Sequence, residues 1–311
     1  MPHPDDAMLV RLHALAREDG VDWPAELAGP LASEQAAVVA TAADLARENE
    51  VALLATPLVE AFDRFVGGAD RGAIAKAACA SAMCDLGVDD ADFFRRAAAV
   101  VQMEFGGDVA GPVRAAACHG LANSSLPPVE ALCELADRLA DWLPSVRRDA
   151  ALAAGRCGGL SAVPMLRLAL RTETDAEVLG GVFSALLMVS PAANLPVVVS
   201  FLRREEPVAF EAAMSLAESR QSDAVEALLN AAKSAEADRR RPLLTGVALT
   251  RREDAVDWLL ELVRGGGADG VAAVDALAAM RFFGDIGERL QKAAVKSNDG
   301  AVLVAAKDLD G

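Results

Sequence analysis

Apolar residues recur along the second half of this sequence in steps of about thirty. Val129, Val163, Leu195, Val225, Val256 and Ile286 are separated by 34, 32, 30, 31 and 30 residues. A second series, Val113, Val146, Val178 and Val208, runs 16 or 17 residues ahead of the first. Two helical positions repeating in tandem at this period are the mark of a helical solenoid, in which each helix pair buries its apolar face only against its neighbours. The first series turns polar in none of its steps, whereas the second is interrupted at Arg239 and Asp269.

The composition suits such a stack. Hydrophobic residues make up 53% of the 311 and aromatics only 4%, with no Tyr, so Ala, Leu and Val must do most of the packing. Ala and Leu head the helix-propensity scale, and small side chains let helix axes approach closely. Apolar runs such as 51–55 and 195–202 fall short of the roughly 20 residues that a membrane span needs. Residues 1–6 hold two acids and no Lys or Arg, unlike a signal peptide. The expectation is a soluble cytoplasmic protein without a membrane partner. The five cysteines form no CxxC pair and read as small core residues.

Helices are expected over 5–18, 33–47 and 56–65, with loop signals at Asp22-Trp23-Pro24 and Gly29-Pro30. These do not follow the thirty-residue template, and residues 1–69 read as an irregular N-terminal helical cap. A longer unit, 70–107, is expected to carry helices over 72–85 and 90–104. Regular units follow at 112–143, 144–174, 175–206, 207–236, 237–267 and 268–298, and a half-repeat, 299–311, closes an array that spans 70–311. Pro112, Pro144, Asp175 and Pro207 open units, because both residue types suit a helix's first turn. Pro164 belongs in the first turn of a returning helix, with Pro196 in the matching place 32 residues later, and Gly265-Gly266-Gly267 reads as an inter-repeat turn.

In unit 144–174, Val146-Arg147, Ala150-Ala151, Gly155, Ala162-Val163-Pro164 and Leu166 resemble the short HEAT-type repeat named after phycobilisome lyases. Val113-Arg114-Ala115-Ala116 and Asp223-Ala224-Val225-Glu226-Ala227-Leu228 resemble it in part. The resemblance covers about residues 110–300. It implies an all-α, right-handed α-α superhelix whose returning helices line a concave face. Such repeats serve scaffolds, enzymes and chaperone-like proteins alike, so the fold alone does not fix the function. Tetratricopeptide units need Trp and Tyr at fixed places, and armadillo units are longer.

Catalytic constellations are sparse. His3, His13 and His119 are the only histidines, and none sits in a His-Glu pair or an HExxH arrangement. The acids at Asp85, Asp89, Asp90 and Asp92 lack the order of a calcium loop and read as caps for the next helix. No phosphate-binding loop or nucleophile elbow is present. Trp142 beside Asp141 and Trp258 beside Asp257 supply residue types used by HEAT-like alkylpurine glycosylases, but the net charge of −16 opposes a phosphate backbone. No cofactor is implied by the residues.

That charge is uneven. Residues 1–142 carry 10 Lys and Arg against 23 Asp and Glu, a balance of −13, and residues 143–311 carry 20 against 23, a balance of −3. The expected concave-face positions are Glu130, Glu134, Asp137 and Asp141, then Arg167 and Arg171, then Arg203 and Arg204. Glu226, Asn230 and Lys233 follow, and then Asp257, Glu261 and Arg264. Acidic in one repeat and basic in the next two, this face suits a protein partner of mixed charge. The expected function is a non-enzymatic protein-binding scaffold or adaptor. The alternative is a lyase-like or chaperone-like helper acting on a cofactor-bearing protein, and nucleic-acid binding or glycosylase activity ranks behind both.

Overall fold

The structure, a computed structural model, describes residues 4–104 and 106–307, with side chains from residue 7 onward. His3 and residues 308–311 of the expected half-repeat lie outside the described residues. Among the described residues there are 19 α-helices and one two-stranded hairpin, so the protein is all-α. The chain divides into two compact units, residues 1–162 and 163–311.

In the first unit the helices are α1 (Pro4–Leu15), α2 (Trp23–Leu31), α3 (Ala36–Glu48), α4 (Ala55–Val66) and α5 (Ile74–Asp85). They continue as α6 (Ala91–Ala98), α7 (Gly111–Asn123), α8 (Pro128–Leu139) and α9 (Pro144–Cys157). Alternate helices α3, α5, α7 and α9 pack in succession, while α4 packs on α5, α6 on α7 and α8 on α9. Phe62, Phe93 and Phe94 lock the core edge to face, with ring centroids 4.9 and 5.2 Å apart.

Helix α2 stands where loop signals are expected. The Asp22 carboxylate accepts a hydrogen bond from the Ala25 amide, and Pro24 falls in the first turn, where a missing N–H costs nothing. The expected acid cap is present at α6, where Asp90 accepts from the Phe93 amide at 2.8 Å. That helix ends at Ala98 and not at 104. The chain instead forms a hairpin of β1 (Met103–Glu104) and β2 (Gly107–Asp108), with Met103 opposite Asp108. Its turn needs Gly106, at φ +85°, a conformation that an L side chain resists.

The second unit holds α10 (Val163–Thr172), α11 (Ala176–Val189), α12 (Pro191–Phe201), α13 (Val208–Glu218) and α14 (Ser222–Ser234). After these come α15 (Ala237–Leu249), α16 (Glu253–Gly265), α17 (Gly267–Ala278), α18 (Ile286–Ser297) and α19 (Gly300–Lys307). Helices α11, α13, α15, α17 and α19 pack in succession, and one apolar cluster runs from Leu179 to Ala306. A Cβ on Gly246 would lie 2.9 Å from the Ala213 carbonyl, so glycine sets the approach of α15 to α13.

Of the ten apolar rungs, Val113, Val146, Val178, Val225 and Val256 are buried, and Val163, Leu195, Val208 and Ile286 are half-buried. Val129 is neither. It is 64% exposed in the first turn of α8, whose buried face is Ala131, Leu132 and Leu135. Pro196 also departs from expectation, since α12 begins at Pro191 and encloses it, whereas Pro164 does lie in the first turn of α10. The polar rungs have local reasons: the apolar face of α15 starts at Pro242 and Leu243, and half-buried Asp269 is paired with Arg240. Gly266, at φ +71°, forms the turn between α16 and α17.

Candidate functional site

In the first unit, most of the expected site residues are committed to internal partners. Glu134 accepts from Arg95 Nε at 2.8 Å, and Glu130 lies 3.8 Å from the same guanidinium. Asp141 accepts from Arg114 Nε at 2.7 Å, from Arg114 Nη2 at 3.0 Å and from the Leu143 amide at 2.9 Å. Arg114 also reaches Asp108 at 2.7 Å and donates to the Val100 carbonyl at 2.8 Å. It thus ties the hairpin, α7 and the start of α9 together. Asp137 is exposed, with no side-chain hydrogen bond or ion pair among the described residues.

Burial alone would lower the pKa of Arg114, but the carboxylates of Asp141 and Asp108 outweigh it and hold the pKa above its ordinary value. For Asp108, burial pushes upward, while the amides of Ala110 and Gln102 and the Arg114 guanidinium pull harder. Its carboxyl therefore lies below the usual range. The three side chains form a buried, ion-paired cluster, an arrangement that holds geometry. Trp142, beside Asp141, is covered by the Arg114 guanidinium at 5.2 Å.

The second unit sorts its expected residues differently. Arg167 donates from Nε and Nη2 to Asn194 Oδ1 at 3.0 and 2.7 Å, and buried Asn194 passes the contact to the Leu186 carbonyl. Asp257 pairs with Arg289, and Lys233 lies 5.8 Å from the Trp258 ring centre. Asn230 is exposed on α14. Arg171, Arg203, Arg204, Glu226, Glu261 and Arg264 are exposed, and none has a side-chain hydrogen bond or ion pair among the described residues. Arg204 alone of these stacks, 5.8 Å over Phe201.

Two cavities were not legible in the sequence. One, of about 840 Å³ in the first unit, is lined by exposed Val66, Val101 and Met103 and by the buried pair Lys76–Asp70. Lys76 Nζ sits 3.0 Å from Asp70 Oδ2 and 3.1 Å from the Phe65 carbonyl. Gln102 bonds both the Asp70 carbonyl and Glu104, so the hairpin closes one wall. The only sequence signals were lone charges and two Gly-Gly pairs, too little to place a cavity. The other, of about 480 Å³ in the second unit, lies where α12 and α14 end and α15 begins.

The cysteines divide. Cys79, Cys84 and Cys118 are buried, and burial first, then nearby carboxylates, pushes their thiols up to about 12, 11 and 12. Cys133 is exposed and Cys157 half-buried, so the expected core role holds for three. Among the described residues no three His, Cys, Asp or Glu side chains converge on a metal-sized site, and no helix is long and apolar enough to cross a membrane.

No protein-family model and no curated protein sequence matches the chain. Among solved structures, it is similar to the complex of CpcE and CpcF of phycocyanin lyase from Nostoc. The identity is 16%, the match covers 81% of this chain and 94% of that one, and the TM-score is 0.42.

Proposed function

We propose that this chain is a non-enzymatic protein-binding module of HEAT-like helix pairs, working in the cytoplasm as a scaffold or adaptor for a partner of mixed charge. The observation that carries this reading is the set of exposed, unpaired charges on or beside α10, α12, α14 and α16: Arg171, Arg203, Arg204, Glu226, Glu261 and Arg264. Charges of both signs left without internal partners are suited to steering and register at a protein interface. Of the corresponding acids of the first unit, Glu130, Glu134 and Asp141 face internal arginines and Asp137 does not, so the binding surface is centred on residues 163–311. Charge reversal at Arg171, Arg204 and Arg264 together is expected to abolish recovery of proteins that co-purify and cross-link to the wild-type chain in its native host. Unchanged recovery would remove this reading.

A second reading, a lyase-like or chaperone-like helper for a cofactor-bearing protein, is favoured by the cavity of about 840 Å³. That volume is within the range of small-molecule sites, and its wall combines apolar Val66, Val101 and Met103 with a polar floor. It predicts a thermal shift with a tetrapyrrole or another cofactor-sized ligand, weakened in Met103→Asp. A ligand screen without a shift would eliminate it.

A further inference from the structure

Helix α15 opens with three consecutive arginines, Arg239, Arg240 and Arg241. The start of a helix carries positive partial charge, so cations there are placed against the field. Arg240 has an internal explanation: it donates to the carbonyls of Ala232 and Ala235 and pairs with Asp269. Arg239 has a single, long contact of that kind: it is exposed and donates from Nη1 to the Arg203 carbonyl at 3.5 Å, and both residues line the same cavity. Neither guanidinium has an ion pair among the described residues. The lining carboxylate is Glu236, and Val199, Leu202 and Leu243 make the aliphatic wall.

Two guanidiniums without an ion pair among the described residues meet a single lining carboxylate, Glu236, so the cavity keeps an excess of positive charge. An external carboxylate relieves it, because guanidinium–carboxylate contacts are bidentate and charge-assisted. We infer that the cavity at the ends of α12 and α14 is the receptor for an acidic segment of the partner protein. A carboxylate sits between Arg203 and Arg239, and an adjacent aliphatic side chain lies against Val199, Leu202 and Leu243. This rests on the reading of the second unit as a protein-binding surface and names the chemistry of what it binds. A nucleic-acid backbone fits less well, since Glu236 lines the cavity and Glu205, Glu206 and Asp238 flank the arginines in sequence, so phosphates beyond the first meet like charge.

The test is selection of a phage-displayed random dodecapeptide library on the full chain, followed by titration of the selected peptides. The expected consensus places Asp or Glu beside Leu, Ile or Val. Arg203→Ala/Arg239→Ala, both at exposed positions, is expected to weaken those peptides at least tenfold, the loss of one or two charge-assisted contacts. Replacing the acids by Gln and Asn should have the same effect. A consensus without acids, affinity unchanged in the double variant, or tighter binding of single-stranded oligothymidylate than of the selected peptides would each overturn the inference. Failure of the broader reading is seen separately, as native partner recovery that ignores charge reversal at Arg171, Arg204 and Arg264.

Discussion

In residues 1–162 the Arg114 guanidinium is 1% exposed between Asp108 and Asp141, and Lys76 is buried against Asp70. Among the described residues of 163–311 the buried polar side chains are Asn194 and Ser215, both neutral. The surfaces differ in the opposite sense. Two last-turn arginines of the first unit reach past the preceding helix: Arg64 on α4 donates to the carbonyls of Leu31, at the end of α2, and of Ser33, and Arg138 on α8 to that of Ala98, at the end of α6. Their counterparts Arg171 and Arg264 have no such bond among the described residues. The same kind of helix pair can therefore spend its charges on internal geometry or hold them at the surface. Residues 1–162 lean to the first use, whereas residues 163–311 hold Arg171, Arg203, Arg204 and Arg264 at the surface while Arg167, Arg240 and Arg289 are spent internally.

The largest expected effect tests the buried triad. Arg114→Met leaves Asp108 and Asp141 without their shared cation and should destabilise the first unit by about 3–5 kcal/mol in urea unfolding. A loss under about 1 kcal/mol would mean the triad is not structural. All five cysteines lie in residues 1–162, so their alkylation reports that unit alone. In the wild type Cys133 should react first, and Cys79, Cys84 and Cys118 only on opening, with Arg114→Met accelerating the three.

The second unit has an apolar counterpart. Leu166 is fully buried in α10, and Leu166→Ala should cost about 2–5 kcal/mol. If that variant also exposed the buried thiols, the two units would be unfolding as one, and the comparison would fail as a description of stability.

Acid should sharpen the contrast further. Asp108 has a depressed folded pKa, so its stabilisation is complete above the unfolded carboxylate value of about 4. It is lost as pH falls through the lower folded pKa. The urea midpoint for the first unit should decline below about pH 4, and Asp108→Asn should flatten that decline while lowering the midpoint at pH 7. An unchanged pH profile would show that Asp108 is not the group responsible. The smallest effect is expected at the idle surface: Arg171→Glu should change stability by less than about 0.5 kcal/mol, as measured by thermal unfolding.

Periodicity made the helices from Val113 onward legible, because burial on a helix repeats every three to four residues whatever the partner. It missed α2, where Asp22 and Pro24, expected in a loop, begin a helix, and it ran α6 through the hairpin. Both errors concern residues whose meaning depends on a single hydrogen bond or turn. The charged residues were legible only as exposed helix positions. Whether Glu134 or Glu226 is free depends on whether an arginine of another helix lies within reach. That separates Glu134, 2.8 Å from Arg95, from Glu226, which acts on Arg252 without a direct contact, and no spacing rule carries it.

The carbonyl-seeking arginines of the first unit also limit how that part of the chain can change in length. Removing α6 would strip Arg138 of its Ala98 acceptor, and a loop of altered length after α2 would move the Leu31 and Ser33 carbonyls away from Arg64. Each helix pair there is fitted to its particular predecessor. Where successive helices meet through Ala, Leu and Val faces, as α11, α13 and α15 do, one pair resembles the next closely enough to be duplicated or lost. Loss or duplication of a helix pair is thus expected to cost less stability in residues 163–311 than in residues 1–162.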